Sequence, residues 1–153
     1  MIIPEEIYAG VKRSMPIPCV DIAAVDGGGR VLMVRRLNSP ARGQWWFPGG
    51  RVHFLETRQH AAVRKLREET NLSAEKLTEL GARDLIIEEP GEEPSHAITT
   101  VFVARIGESG GLRLDAQSGA AMWRTVAEWA REPLHPFLTE TLRSMGKLEA
   151  ARL

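Results

Sequence analysis

Gly49 to Leu72 reads GGRVHFLETRQHAAVRKLREETNL, and the fold turns on how this stretch is read. A glycine pair makes a turn, a short extended piece follows, and a segment of clustered charge comes next. Gly50 is followed after five residues by Glu56, and after seven more by Arg64, Leu66, Glu68, Glu69 and Leu72. Thr57 has the side-chain oxygen that closes a helix N-terminus, which predicts a helix from there to about Thr70. Ala62 and Leu66 sit one turn apart and should face a sheet. Asn71 tolerates the left-handed conformation that commonly ends a helix.

The charges on that helix carry the chemistry. Glu68 and Glu69 lie about 100° apart around the axis and share one edge. Two carboxylates on an edge, with a glycine carbonyl that no Cβ obstructs, supply the oxygen ligands that Mg²⁺ takes. Arg64, one turn before Glu68, is placed to orient the carboxylates. Lys65 lies three residues before Glu68 and four before Glu69, so its ammonium faces the same edge and competes for it. Taken alone, RKLREE fits a solvated helix face. The turn Pro48-Gly49-Gly50 and the spacing to Glu56 move the reading to a metal site.

Outward from this stretch, the chain has 153 residues with 20 basic and 20 acidic side chains. That length suits a single α/β domain over 1–153 with its core at about 17–146. The balanced charge, without a basic run, argues against a nucleic-acid partner. The lone Cys19 fits a reducing cytoplasm, the N-terminus does not read as a secretion signal, and no window is apolar enough to span a membrane.

Ile7, Val11 and Met15 form a stripe that predicts a short amphipathic helix ended by Pro16 and Pro18. Cys19–Val25 and Val31–Arg36 read as a hairpin across Asp26-Gly-Gly-Gly. Strands are expected within Leu77–Glu89, over Ala97–Ile106 and over Ala121–Thr125, and turns at 90–94 and 108–111. A short helix begins at Val126. Pro136 starts a last helix on which Leu138, Leu142 and Met145 share a face, with Gly146 as its stop.

The spacing from Gly50 to Leu72 resembles the Nudix box, G-x5-E-x7-R-E-U-x-E-E-x-G-U with U aliphatic. Lys65 stands where the family usually has Glu, and Asn71 where it has Gly. The resemblance implies a Nudix-type α/β/α sandwich, a mixed β-sheet between helices, with the box at 50–72. It implies a Mg²⁺ cofactor, with Mn²⁺ as substitute, held by Gly49, Glu68 and Glu69. Lys65 replaces a Glu that in many relatives binds a second metal or acts as base, which points to a single ion.

The flanks PIPCVDIAAV, RRLNSPARGQW and FPGGRV are similar to the GDP-mannose mannosyl hydrolase branch. That likeness implies attack of water at the sugar carbon, a homodimer, metal ligation by Gln117, and contacts to substrate from Asp21, Arg36 and Arg51. Ser118 stands where the branch has its general-base His, and a serine hydroxyl has no useful basicity near neutral pH. The candidate replacements are His96, expected in the loop before the central strand, Glu68 and Glu92. Trp45 reads as structural; Trp46 either packs or stacks on a base. Three functions follow: a Mg²⁺-dependent hydrolase of a nucleotide sugar such as GDP-mannose, a hydrolase cleaving P–O–P bonds of oxidised nucleotides, or a nucleotide-binding domain of low activity.

Overall fold

The computed structural model describes residues 2–107, 111–116 and 118–151. In chain order the elements are α1 (Glu5–Ser14), β1 (Ile17–Val25), β2 (Val31–Arg36), β3 (Trp45–Trp46), β4 (Gly49–Arg51) and α2 (Arg58–Thr70). Then come β5 (Lys76–Ile87), β6 (Ser95–Arg105), β7 (Ser118–Arg124), α3 (Val126–Trp129) and α4 (Pro136–Ala150). The strands form one mixed sheet. β6 lies parallel to β1 from Ile17↔Ala97 to Val25↔Arg105, and β5 runs antiparallel to β6. β2 pairs antiparallel with β3 and with β7.

Alternation along the central strands sorts apolar residues to two faces. Val20, Ile22, Ala24, Phe102 and Ala104 pack with Ala61, Ala62 and Leu66 of α2. Ala23, Val31, Met33 and Val101 pack on the other side with Trp129, Phe137, Leu138, Leu142 and Met145 of α3 and α4. This is the expected α/β/α sandwich. Its helix ends follow the sequence closely. The Thr57 hydroxyl accepts from His60 N–H, and Asn71 takes φ 62° and ψ 15° at the other end of α2.

The β1–β2 hairpin and the N-terminal helix form as expected, with differences in detail, and the stop at Gly146 is corrected. The β1–β2 hairpin pairs only at Val25↔Val31, because β4 takes the neighbouring edge of β1 at Cys19, Val20 and Asp21. α4 does not stop at Gly146 but runs on to Ala150; Gly146 stays helical, since a glycine without a left-handed φ weakens a helix rather than ending it. The apolar stripe of α1 is not what holds that helix: Ile7 and Met15 are 59% and 55% exposed, and no residue of α1 is buried. Among the described residues no helix is long and apolar enough to cross a membrane.

Candidate active site

The site forms where the Gly49–Gly50 strand passes the acidic edge of α2. A methyl at Gly49 would lie 2.3 Å from the Val20 carbonyl oxygen and 2.9 Å from an Asp21 carboxylate oxygen, so only glycine lets β4 approach β1 this closely. At Gly50 the same methyl would meet Lys65 Cε at 2.6 Å. The two glycines therefore bring backbone against β1 on one side and against the Lys65 stem on the other.

Lys65 is folded into the acidic edge. Its Nζ lies 3.0 Å from Glu69 Oε1 and 3.5 Å from Glu68 Oε2, and its side chain is only 10% exposed. The Gly49 N–H points at Glu69 Oε2 at 3.3 Å. Burial pushes the Glu69 carboxyl above its ordinary pKa, the Lys65 charge opposes this, and the Asp115 carboxylate adds to the rise. Glu68 differs from its neighbour: it is about half exposed and held by Arg64.

Arg64 is the centre of a second set of contacts. Its Nε and Nη2 donate to the two oxygens of Glu56 at 2.7 and 2.9 Å. Its Nη1 reaches Glu68 at 3.2 and 3.3 Å, and Nη2 also donates to the Arg51 carbonyl at 3.0 Å. These hydrogen bonds from Arg64 draw the Glu56 carboxyl down to about 2. Arg64 thus ties the loop after β4 to the helix and fixes where Glu68 can go.

A cavity of about 490 Å³ opens beside this edge. β1 lines it with Ile17, Cys19 and Asp21, and the start of β6 with Ser95, His96 and Ala97. Arg36, Arg51, Lys12 and Arg13 bring positive charge to its walls, and Glu89, Glu92 and Glu93 bring negative charge. Asp21 is buried; Trp46 Nε1 and the Thr99 hydroxyl donate to its oxygens at 3.2 and 2.6 Å, yet burial pushes its carboxyl up to about 7. Arg36 donates through Nε to the Pro40 carbonyl at 2.6 Å. Burial likewise pushes the Cys19 thiol up to about 12, which leaves it an unreactive lining group.

Asp21, Arg36, Arg51 and His96 thus share one cavity, beside Gly49 and the Glu68–Glu69 edge. His96 is not in a loop, as expected, but inside β6 opposite Ile86, because pairing with β5 begins already at Ser95. Gln117 lies outside the described residues. Ser118 is buried at the start of β7, paired with Arg36. Trp46 packs rather than stacking on a ligand: it is buried, with its ring 5.7 Å from that of Phe137. Trp45 meets Trp129 edge-on at 5.4 Å. Sequence reasoning did not assign Tyr8, Lys12, Arg13 or Glu89 to the cavity. The spacing of Tyr8 and Lys12, one turn apart on α1, was the one available signal.

A family model described as NUDIX domain matches residues 15–145. The chain belongs to the Nudix hydrolase family. Among its relatives is the "Low-salt glycan biosynthesis protein Agl8" of Haloferax volcanii, 29% identical over 146 residues, covering 94% of this chain and 90% of that one. An "ADP-ribose pyrophosphatase" of Methanocaldococcus jannaschii is 35% identical over 85 residues, which is 52% of this chain and 48% of that protein, about half its length. The crystal structure of a MutT NUDIX hydrolase from Burkholderia pseudomallei superposes with a TM-score of 0.73 at 28% identity, covering 86% of this chain and 98% of that one.

Nudix hydrolases generally use divalent metal ions. Among the described residues no three His, Cys, Asp or Glu side chains stand together as a ready-made metal cluster. The donors at the Glu68–Glu69–Gly49 edge are all oxygens and few, which suits a hard cation that keeps several waters. The Lys65 ammonium already sits on one oxygen of Glu69.

Proposed function

We propose that this Nudix hydrolase acts on a nucleoside diphosphate derivative with one Mg²⁺, and that the favoured substrate class is a nucleotide sugar such as GDP-mannose. The observation that carries the reading is the Lys65 ammonium seated 3.0 Å from Glu69 beside a cavity with Arg36 and Arg51 in its walls. Glu68, Glu69, the Gly49 carbonyl and Gln117 would hold the ion, which would neutralise the diphosphate and make it a better leaving group. Lys65 limits the number of ions by taking a carboxylate oxygen itself. Arg36 and Arg51 bind and orient the phosphates, and Asp21 orients the sugar through its fixed carboxylate. His96, in the cavity wall, takes the proton from the attacking water; Glu68 is the alternative base. Arg64 positions Glu68 and does not touch substrate. The homodimer belongs to the same proposal, with the exposed Ile7 of α1 and Met15 just after it as its contact, and sedimentation of the full chain tests it. So does a cytoplasmic setting.

Hydrolysis of GDP-mannose in ¹⁸O-labelled water with Mg²⁺ tests the reaction. The label is expected in free mannose, with unlabelled GDP as the other product; label in a phosphate would overturn the sugar-carbon reading. Introducing the imidazole by Ser118→His should raise sugar release by about a hundredfold, the low end of what a placed base contributes. A second reading, cleavage of a P–O–P bond in an oxidised or other nucleotide, is favoured by Ser118 and by the likeness to an ADP-ribose pyrophosphatase. It predicts a nucleoside monophosphate among the products. The third reading, a binding domain of low activity, predicts a Mg²⁺-dependent thermal shift with nucleotide sugars and no product.

A further inference from the structure

We propose that Glu89 recognises a pair of adjacent hydrogen-bond donors on the ligand. Glu89 follows β5 and lines the cavity. Its Oε1 accepts the Ala41 N–H at 2.8 Å. Ala41 is 1% exposed and left-handed at φ 60°, so this amide has no access to water, and the bond fixes the carboxylate in place. One residue earlier, the Pro40 carbonyl holds Arg36 Nε. The same short loop therefore anchors a guanidinium and a carboxylate through adjacent backbone groups. Neither pairs with the other, and among the described residues no basic side chain forms an ion pair with Glu89.

Charges held by backbone rather than by each other keep their remaining hydrogen-bonding capacity for a ligand. Arg36 retains four of its five N–H donors for phosphate oxygens. Glu89 retains one free oxygen and a lone pair on the other, which is the acceptor pattern for two neighbouring N–H or O–H groups. Guanine presents such a pair at N1 and N2, and a pyranose presents one as vicinal hydroxyls. Adenine presents an acceptor where guanine has N1–H, and a fixed carboxylate disfavours it. Glu89 thus selects the ligand while Arg36 and Arg51 hold its charge.

The proposal rests on reading the cavity as a nucleotide site, and its test is a binding test that needs no turnover. The full chain and Glu89→Gln are titrated calorimetrically with Mg²⁺ and GDP, ADP, GDP-mannose or inorganic pyrophosphate. Gln keeps an oxygen for Ala41 N–H, so the loop is preserved, and the melting temperature checks this. Glu89→Gln should bind GDP-mannose about 10- to 100-fold more weakly and pyrophosphate unchanged. A loss present with GDP but not with ADP places the donors on the base, a loss shared by ADP places them on the ribose, and a loss seen only with GDP-mannose places them on the mannose. On the unsubstituted chain, GDP should bind more tightly than O6-methyl-GDP in the first case, and GDP-mannose more tightly than GDP in the last. Equal affinities of the two chains for every probe, or an equal loss with pyrophosphate, overturn the proposal. If the probes bind as expected without being hydrolysed, the hydrolase reading falls and the role of Glu89 stands. If the unsubstituted chain binds none of them, both fall.

Discussion

Lys65 is the residue on which the chemistry of this chain turns. It is a buried cation with a buried carboxylate at 3.0 Å, in a family position that commonly carries Glu. Removing one member of such a pair strands the other, which costs about 3–5 kcal/mol. Lys65→Met keeps the stem that packs on Gly50 and removes only the charge. It should lower the metal-free melting temperature, and millimolar Mg²⁺ should restore more of the loss than it adds to the unsubstituted protein, since a cation at Glu69 replaces the ammonium. Thermal unfolding with and without Mg²⁺ reads both numbers; an equal Mg²⁺ shift in the two proteins would count against cation exchange at this carboxylate. The two glycines make a second comparison. A methyl at Gly49 meets backbone at 2.3 Å, whereas at Gly50 it meets the movable end of a lysine at 2.6 Å. Gly49→Ala should therefore destabilise by about 2–3 kcal/mol or more, and Gly50→Ala by less. Denaturant unfolding of both variants decides it.

At the scale of elements, α2 and its loop behave as one unit because Arg64 grips both. Glu56 has an ordinary carboxyl value of 4.5 and sits at about 2 in the fold, chiefly through the hydrogen bonds from Arg64. A carboxyl held below its unfolded value adds stability above the unfolded value and loses it as pH falls through the folded one. The gap corresponds to roughly 3 kcal/mol at full ionisation. Glu56→Gln should be less stable than the parent by about that amount at pH 6, and the difference should shrink between about pH 4.5 and about pH 2. A pH-independent difference in denaturant midpoints would refute the clamp. This element was also the most legible in the sequence. Thr57 and Asn71 bracket α2 through local rules that need no tertiary partner. The β1–β2 hairpin was less legible, because periodicity says which residues are buried and not which strand edge a neighbour claims; β4 competes for β1 and prevails. His96 was read as loop for the same reason, since its pairing with Ile86 depends on a bulge at Glu79–Gly81 setting the β5 register. The cavity wall at Glu89 was illegible because the residue that fixes it, Ala41, is 48 positions away.

For the molecule as a whole, the sandwich and the cavity are built separately. The two apolar clusters draw on the sheet, α2, α3 and α4, while α1 contributes no buried residue to either. Tyr8, Ala9, Gly10 and Val11 of α1 are only half-buried, and polar contacts add to its attachment. Lys12 and Arg51 lie 5.0 and 5.4 Å from the Tyr8 ring centre, and Arg13 meets Glu93 at 3.7 Å. Cation–ring contacts contribute about 0.5–1 kcal/mol each when exposed and more when desolvated, and the exposed Arg13–Glu93 ion pair contributes less. Yet Tyr8, Lys12 and Arg13 form one wall of the cavity. Deleting residues 2–14 should therefore leave the fold standing, with a loss of roughly 1–3 kcal/mol, and should raise KM by about tenfold while kcat changes less than threefold, because α1 stands at the cavity and not at the α2 edge. Circular dichroism melting and steady-state kinetics of the truncated chain separate the two effects. A collapse of the fold would mean that the sandwich needs α1 as a structural layer. An unchanged KM would mean that substrate does not use this wall, and would place its binding wholly on the Arg36 and Glu89 side.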